Sequence, residues 1–450
     1  MTNTTYPHIM PLVKREDLAH GHLSAPSELD LSTFLSQLSP DAPSSTNQGT
    51  EQAAFQRWFR VKEAFSPLFV RDVVGSMPSR PTTCLDPFGG SGTTALTCQF
   101  LSIAPTTIEL NPFLSDLIEA KLTTYDASAV SRDREQVAGR LQDFEPNLAV
   151  EFASAPATLF EPGVNDRWIF DAPVMRRISQ YRHSIASIED ASHRRLFTVL
   201  LGSILVHLSN VVINGKGRRY RGSWQKVRRA AVHVDVAFQA AFENALFDIV
   251  RLPGRAHRGY ELLRGDSRDR LSEIDGPFDL VLFSPPYPNS FDYTDIYNIE
   301  LWVLGYLTTA ADNTRLRGST LRSHVQIKRD HALPHQQSPA LDDVMASLDR
   351  VRSTLWSREI PGMIGSYFAD LANIMLECRR MLSEDGRIAM VVGDSRYANV
   401  IVPVARILAE LGMSMGLEVD RITTLRPMRA SAQQGGEHLL SEDLIILRRA

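Results

Sequence analysis

Two short stretches carry residue types that could do chemistry. Residues 283–288 read FSPPYP, and residues 86–94 read DPFGGSGTT. In the first, Ser284 supplies a hydroxyl, Pro285 and Pro286 supply carbonyls on a stiff turn, and Tyr287 supplies a flat ring. Such a group can face a ligand cleft. In the second, Gly89, Gly90 and Gly92 allow positive φ and close backbone approach, while Thr93 or Thr94 is expected to cap a following helix. A turn of this kind receives nucleotide-like cofactors. It is not a phosphate P-loop, because GxxxxGK[ST] is absent.

Both stretches need strands to carry them. FDLVLF (278–283) is a short apolar run that two prolines must end, and TTCLDPF runs into the glycine turn. PTTIEL (105–110), YELLRGD (260–266), RIAMVVGD (387–394), EVDRITTL (418–425) and DLIILRR (443–449) read as further strands. Helical spacing is expected over 53–77, 364–382 and 400–411. Alternating strand and helix predicts an α/β fold with a doubly wound, mostly parallel sheet, whose ligands gather at the carboxyl ends of the strands. Glu109 ends the second strand 17 residues after Gly92. Its carboxylate is placed to accept hydrogen bonds from two ribose hydroxyls, and Asp266 at the third strand's end could accept one from an adenine amino group.

These motifs resemble those of the S-adenosylmethionine-dependent amino-methyltransferases of DNA. DPFGGSGTT resembles motif I of that family, SPPY its catalytic motif IV, IELNP its acidic second-strand motif, and GDS (265–267) its third-strand motif. RWFRVKEAFSPLFV resembles the segment that closes over the methionine part of the cofactor. The resemblance covers about residues 53–125 and 260–450. It implies a seven-stranded Rossmann-like sheet with S-adenosylmethionine as cofactor. Asp86, Phe88, Gly90 and Gly92 would hold the methionine portion, Glu109 and the neighbouring Asn111 the ribose side, and Asp266 the adenine. Ser284, Pro285, Pro286 and Tyr287 would hold a flipped base. Serine at the first motif IV position implies a cytosine-N4 enzyme. Adenine-N6 methylation, an RNA or tRNA base N-methyltransferase, and a non-catalytic DNA-binding specificity subunit on the same fold are the alternatives. Cytosine-C5 chemistry needs a cysteine nucleophile, and none of Cys84, Cys98 and Cys378 lies in a Pro-Cys turn.

The domain reading follows. Residues 1–50, rich in Ser, Pro, Thr and Asn, are expected to form a flexible or loosely packed leader. Residues 51–125 and 259–450 form the catalytic domain, and 126–258 a largely helical insertion between the second and third strands. The insertion carries KGRRYRGSWQKVRR (216–229), with seven Lys or Arg in fourteen residues and no acid. Lys216, Arg218, Arg219, Arg221, Lys226, Arg228 and Arg229 are therefore expected to grip a DNA backbone, with Tyr220 and Trp224 available for stacking. A second basic, loop-like stretch spans 315–331. The net charge is −4, so affinity for nucleic acid must be local. Three scattered cysteines without metal-ligand spacing fit a reducing cytoplasm and no zinc site. No long apolar segment predicts a membrane span. DNA is the expected partner, and a cognate restriction endonuclease or other defence protein would accompany such an enzyme.

Overall fold

A seven-stranded sheet organises the chain. The structure, a computed structural model, describes residues 28–39, 45–61, 63–214, 217–253, 259–429 and 439–450. In chain order the strands are β1 (Thr83–Asp86), β2 (Ala104–Glu109), β3 (Val211–Asn214), β4 (Gly217–Tyr220), β5 (Glu261–Arg264), β6 (Phe278–Phe283) and β7 (Leu382–Gly393). They continue with β8 (Ser395–Tyr397), β9 (Val400–Val402), β10 (Leu417–Arg429) and β11 (Leu439–Arg449). The main sheet runs β10-β11-β7-β6-β1-β2-β5. Its β7-β6-β1-β2-β5 part is parallel, while β11 lies antiparallel to both β7 and β10. This is the doubly wound, mostly parallel architecture read from the sequence.

The central parallel strand β6 and the end of β7 are largely apolar because both faces are covered, whereas β5 at the sheet edge is only half-buried. Leu280 and Leu282 of β6 pack with Cys84, Cys98 and the helix Pro67–Gly75 on one face. Val281 and Phe283 alternate to the other face, against the helices Ile360–Met381 and Val404–Ser414. The three cysteines are free and buried, as expected of small apolar side chains. The chain order reverses between β1 and β6, which are hydrogen-bonded neighbours. A crevice therefore opens where the loops after these two strands part to opposite sides.

The expected helix over 53–77 is instead two pieces. A single 3-10 turn, Gln56–Trp58, precedes the helix Pro67–Gly75, which starts where Ser66 accepts from Leu68 N and Pro67 fills the first turn. Part of the expected loose leader is firmly packed. Glu28–Leu35 is helical, and the buried Phe34 stacks on Phe100 with centroids 4.3 Å apart. Burying a phenyl ring of this kind contributes about 1.5–3 kcal/mol. The remaining leader residues lie outside those described.

The insertion is helical as expected, with helices Ala127–Gly139, Ala172–Ala186, Ala191–Leu208 and Ala231–Arg251, plus the β3–β4 hairpin that its sequence did not suggest. It does not stand apart from the catalytic fold. Phe197 and Phe238 share one core with Leu96, Phe113 and Leu117 of the helices that follow β1 and β2. The buried Asp248 accepts from Phe55 N (2.9 Å), Trp58 Nε1 (2.9 Å) and Arg57 Nε (3.1 Å), tying the insertion to the segment before the glycine turn.

Candidate functional site

The glycine turn and the SPPY turn open on one cavity of about 390 Å³ at the β1–β6 reversal. Asp86, Phe88, Gly89, Gly90, Thr93, Thr94, Glu109, Asn111 and Asp266 line it together with Ser284, Pro285, Pro286 and Tyr287. Gly92 lies beneath the turn. Its φ of 75° makes it the cap of the helix Thr93–Phe100, so neither threonine caps that helix as expected; Thr93 Oγ1 pairs with Ser91 Oγ at 2.8 Å instead. Gly89 is needed for closeness, since a Cβ there would lie 2.4 Å from Thr107 Cγ2. The rings of Phe88 and Phe283 pack 5.5 Å apart and lock the two turns together.

The carboxylates show how the turn is held open for a ligand. Asp86 accepts from Phe88 N at 2.9 Å, and burial raises its pKa to about 7. Glu109 accepts from Gly90 N and Asn111 N, each at 2.7 Å, so its two oxygens straddle the turn. Burial outweighs these bonds and raises its pKa to about 7 as well. Each oxygen of Glu109 keeps acceptor capacity for a diol. Asn111 spends its side-chain carbonyl capping the helix Pro112–Leu122, at 3.0 Å from Phe113 N. Asp266 is already engaged: Arg268 bonds both of its oxygens and also reaches Asp370. An adenine amino group would share Asp266 with that guanidinium.

At the other end of the cavity the proline turn is braced from several directions. Tyr397 Oη donates to Pro288 O at 2.8 Å, and Ser290 N donates to Ser323 O at 3.0 Å. Tyr287 packs its ring on Gly393, where a Cβ would come within 2.6 Å of it, and donates its hydroxyl to Glu442 Oε1 at 3.0 Å. Glu442 is bound in turn by Arg426 Nε at 2.6 Å. Val61, Glu63, Ala64 and Phe65 from the segment before β1 line the cavity, as do Phe291, Tyr293, Thr294 and Tyr297 after the SPPY turn.

Arg426, Glu442, Arg268 and His324 also border this site or its walls, and the sequence reading missed all four. Their signals were faint. Arg268 is two residues beyond Asp266, and Glu442 sits between Ser441 and Asp443 just before the apolar part of β11. His324 has its pKa lowered to about 4 by burial and is neutral at ordinary pH.

The basic run divides. Arg221 donates to Ser209 O (3.0 Å) and Val206 O (2.9 Å), finishing the helix Ala191–Leu208. Arg228 pairs with Glu161 and Asp171, while the Arg229 guanidinium donates to Asn210 Oδ1 and its backbone N–H to Asp171. These three arginines, expected on a phosphate-gripping surface, are therefore occupied by the fold. Trp224 and Tyr220 pack against one another with tilted rings 4.9 Å apart, and Trp168 meets Trp224 edge to face, so neither ring stands free. Arg218, Arg219 and Lys226 are exposed, and Lys216 lies outside the described residues. Much of the 315–331 stretch likewise faces inward, although Arg315 and Lys328 are exposed. It starts within the helix Ala310–Gly318, Arg317 pairs with Asp292, Arg322 with Asp370, and Ser319, Thr320, Leu321 and Ser323 wall the cavity.

In sequence the chain is similar to known methyltransferases. The chain is 26% identical over 411 residues to the Type II methyltransferase M.AvaI of Nostoc sp. strain PCC 7120, spanning 85% of this chain and 83% of that one. It is 24% identical over 442 residues to the Type II methyltransferase M.BsoBI of Geobacillus stearothermophilus, spanning 87% and 84%. No family model matches the chain. Among solved structures, the rRNA methyltransferase aviRa from Streptomyces viridochromogenes aligns over 99% of this chain and 96% of its own, at 12% identity and a TM-score of 0.28.

Proposed function

We propose that this chain is a site-specific DNA methyltransferase that uses S-adenosylmethionine and acts on the exocyclic amine of a flipped base, cytosine N4. One observation carries the reading: the turn suited to a nucleoside cofactor and the SPPY turn share a single cavity. The similarity to Type II methyltransferases over most of both chains supports it. Among the described residues no helix is long and apolar enough to cross a membrane.

The residues present fit the cofactor. Glu109 brings two acceptors for a ribose diol, Asp266 an acceptor for an amino group, and Asp86 with the Phe88–Gly90 turn a walled pocket for the methionine part. When bound, the cofactor supplies a methyl group on an electrophilic sulfonium. The remaining work belongs to the chain. An exocyclic amine on a base is a poor nucleophile because its lone pair is delocalised into the ring. Ser284 Oγ and the Pro285 carbonyl would accept its two N–H bonds, letting the nitrogen pyramidalise and present that lone pair in line. Orientation of this kind supplies about 7–11 kcal/mol, and carbonyl dipoles fixed in advance add to it. Tyr287 would stack on the base, which must leave the duplex to reach it. Arg218, Arg219 and Lys226 would contact phosphate. A restriction endonuclease reading the same site is the partner to seek.

The test is direct. The purified chain is incubated with labelled S-adenosylmethionine and mixed DNA and RNA, and the methylated nucleoside is identified by mass spectrometry. N4-methylcytosine from DNA is expected. N6-methyladenine would move the base assignment, and label in RNA alone would overturn the DNA reading.

A further inference from the structure

His324 carries a proton that nothing in the fold uses. It lies in the cavity wall, only 3% exposed, and three bonds hold its neighbours against the loop that follows the SPPY turn. Ser290 N donates to Ser323 O at 3.0 Å, Val325 N to Ser290 Oγ at 3.3 Å, and Gln326 Nε2 to Ser290 O at 2.7 Å. Ser290 sits three residues past Tyr287 and directly before the cavity-lining Phe291. On the ring, Nε2 lies 3.2 Å from Arg329 Nη2. A guanidinium has only hydrogens to give, so Nε2 accepts. Thr320 Oγ1 is 3.3 Å from the same nitrogen but sends its hydrogen to Arg317 O at 2.8 Å. Burial keeps the imidazole neutral, so its single N–H is on Nδ1. That Nδ1 is buried and has no hydrogen-bond partner among the described residues; Gln326 is near the ring but makes no bond to it. A buried donor left unpaired is costly, and a ligand that brings an acceptor removes the cost.

We infer that His324 is a specificity-determining residue whose Nδ1–H donates to the unprotonated ring nitrogen beside the target amine of the flipped base. This deepens, and rests on, the methyltransferase reading. In cytosine that nitrogen is N3, which accepts from guanine N1–H while the base is paired and loses that bond when the base leaves the duplex. Ser284 and Pro285 would meet the amine as acceptors, and His324 supplies the missing donor one position along the same edge. Thymine and uracil carry N3–H there and would set donor against donor. Adenine N1 has the same character as cytosine N3, so the contact selects an amino-bearing edge rather than one of these two bases. A neutral imidazole suits the task, since it fixes the base without handing a proton to the ring and drawing the amine's lone pair further into it. Arg329 is the positioning residue: its guanidinium sets the tautomer and is itself held by Thr320 O and Arg317 O, each at 2.6 Å.

The experiment crosses a protein variant with a base analogue, on the full chain. At the methylated site, cytosine and 3-deazacytosine, in which a C–H replaces N3, are each placed opposite an abasic position so that duplex pairing does not enter. Should adenine be the methylated base, 1-deazaadenine takes the analogue's place. The wild type should lose about ten- to hundredfold in kcat/KM on the deaza base. His324→Ala should lose a similar factor on the natural base, lose little more on the analogue, and keep its affinity for S-adenosylmethionine. Equal sensitivity to the analogue in both proteins overturns the inference. So does weakened cofactor binding in His324→Ala, which would turn the imidazole toward the cofactor instead. A second measurement needs no turnover. In wild-type protein labelled with 15N-imidazole histidine, with the His324 signals assigned by their loss in His324→Gln, Nδ1 should be the protonated nitrogen and should shift when the abasic-site duplex is added. The opposite tautomer, or an Nδ1 signal unmoved by the duplex, overturns the inference. If the wild type methylates no nucleic acid, the methyltransferase reading itself has failed, whereas methylation with the opposite tautomer sinks this inference alone.

Discussion

Replacing Glu109 with glutamine tests the cofactor half of the site with numbers the structure supplies. In the free protein Glu109 titrates near pH 7 because burial outweighs two 2.7 Å bonds from Gly90 N and Asn111 N. A ribose diol needs the carboxylate ionised, so protonation competes with the cofactor. Affinity should be flat above pH ~8 and then fall as pH drops, approaching tenfold per unit and reaching about a hundredfold by pH ~5. Glu109→Gln removes the charge and sets an amide N–H₂ against one of two backbone N–H donors. The loss of charge-assisted bonds should weaken binding by about 2–4 kcal/mol at pH ~8. The variant's dependence on pH should flatten at the same time. Asp86 also titrates near 7 and lines the cavity, so Asp86→Asn measured alongside separates the two carboxylates. The sign for stability is opposite. Both groups have folded pKa values raised above their unfolded values, so the stability they contribute is full below the unfolded range and is lost as pH rises through about 7. Calorimetric titration with S-adenosylmethionine from pH ~5 to ~8.5 reads the first effect and thermal melts the second. Equal affinity across that range, or a glutamine variant that binds as tightly as the parent, would refute the assignment of Glu109.

Three further outcomes follow from named contacts. Arg218→Ala with Arg219→Ala should weaken DNA binding and lower the slope of log affinity against log salt by about two, whereas Arg221→Ala should mainly lower the melting temperature; an unchanged slope would move the DNA path elsewhere. Asp248→Ala leaves Arg57 and Trp58 Nε1 without their buried acceptor and should cost about 3–5 kcal/mol in denaturant titration; a loss under about 1 kcal/mol would show the junction to be unimportant. Gly89→Ala places a Cβ against Thr107 and Ile118, and should cost about 1–3 kcal/mol and weaken cofactor binding; parental affinity would mean the turn has room to shift.

The centre of the sheet was legible because β6, the end of β7 and the middle of β11 are buried on both faces and read as apolar runs. β6 matches 278–283 residue for residue, and β1 ends at Asp86, as the glycine turn requires. The cavity residues from Asp86 to Tyr287 were legible because suitable groups recur at the ends of four strands, β1, β2, β5 and β6, where an open α/β sheet gathers its ligands. The helix over 53–77 misled because its apolar spacing continues across Ser66-Pro67, where a cap and a proline begin a new helix. The basic run misled for a different reason. Arg228 finds Glu161 and Asp171 from a segment roughly sixty positions earlier, Arg229 finds Asn210, and charge spacing along a chain does not reveal which guanidinium folds back. Glu442 escaped notice because its partner Tyr287 is 155 positions away.

The shared interior of the helical segment and the cofactor helices has a consequence for how specificity could change. Phe197, Phe238 and Phe113 belong to one continuous apolar body, and Asp248 anchors three groups of the stretch leading into the glycine turn. Residues 126–258 could not be transplanted between relatives as a cassette without leaving voids and an unmatched aspartate at the seam. Under the proposed function, any DNA contact made by this segment would have to change on its outer face, one exposed side chain at a time, while the inner face stays committed to the shared core.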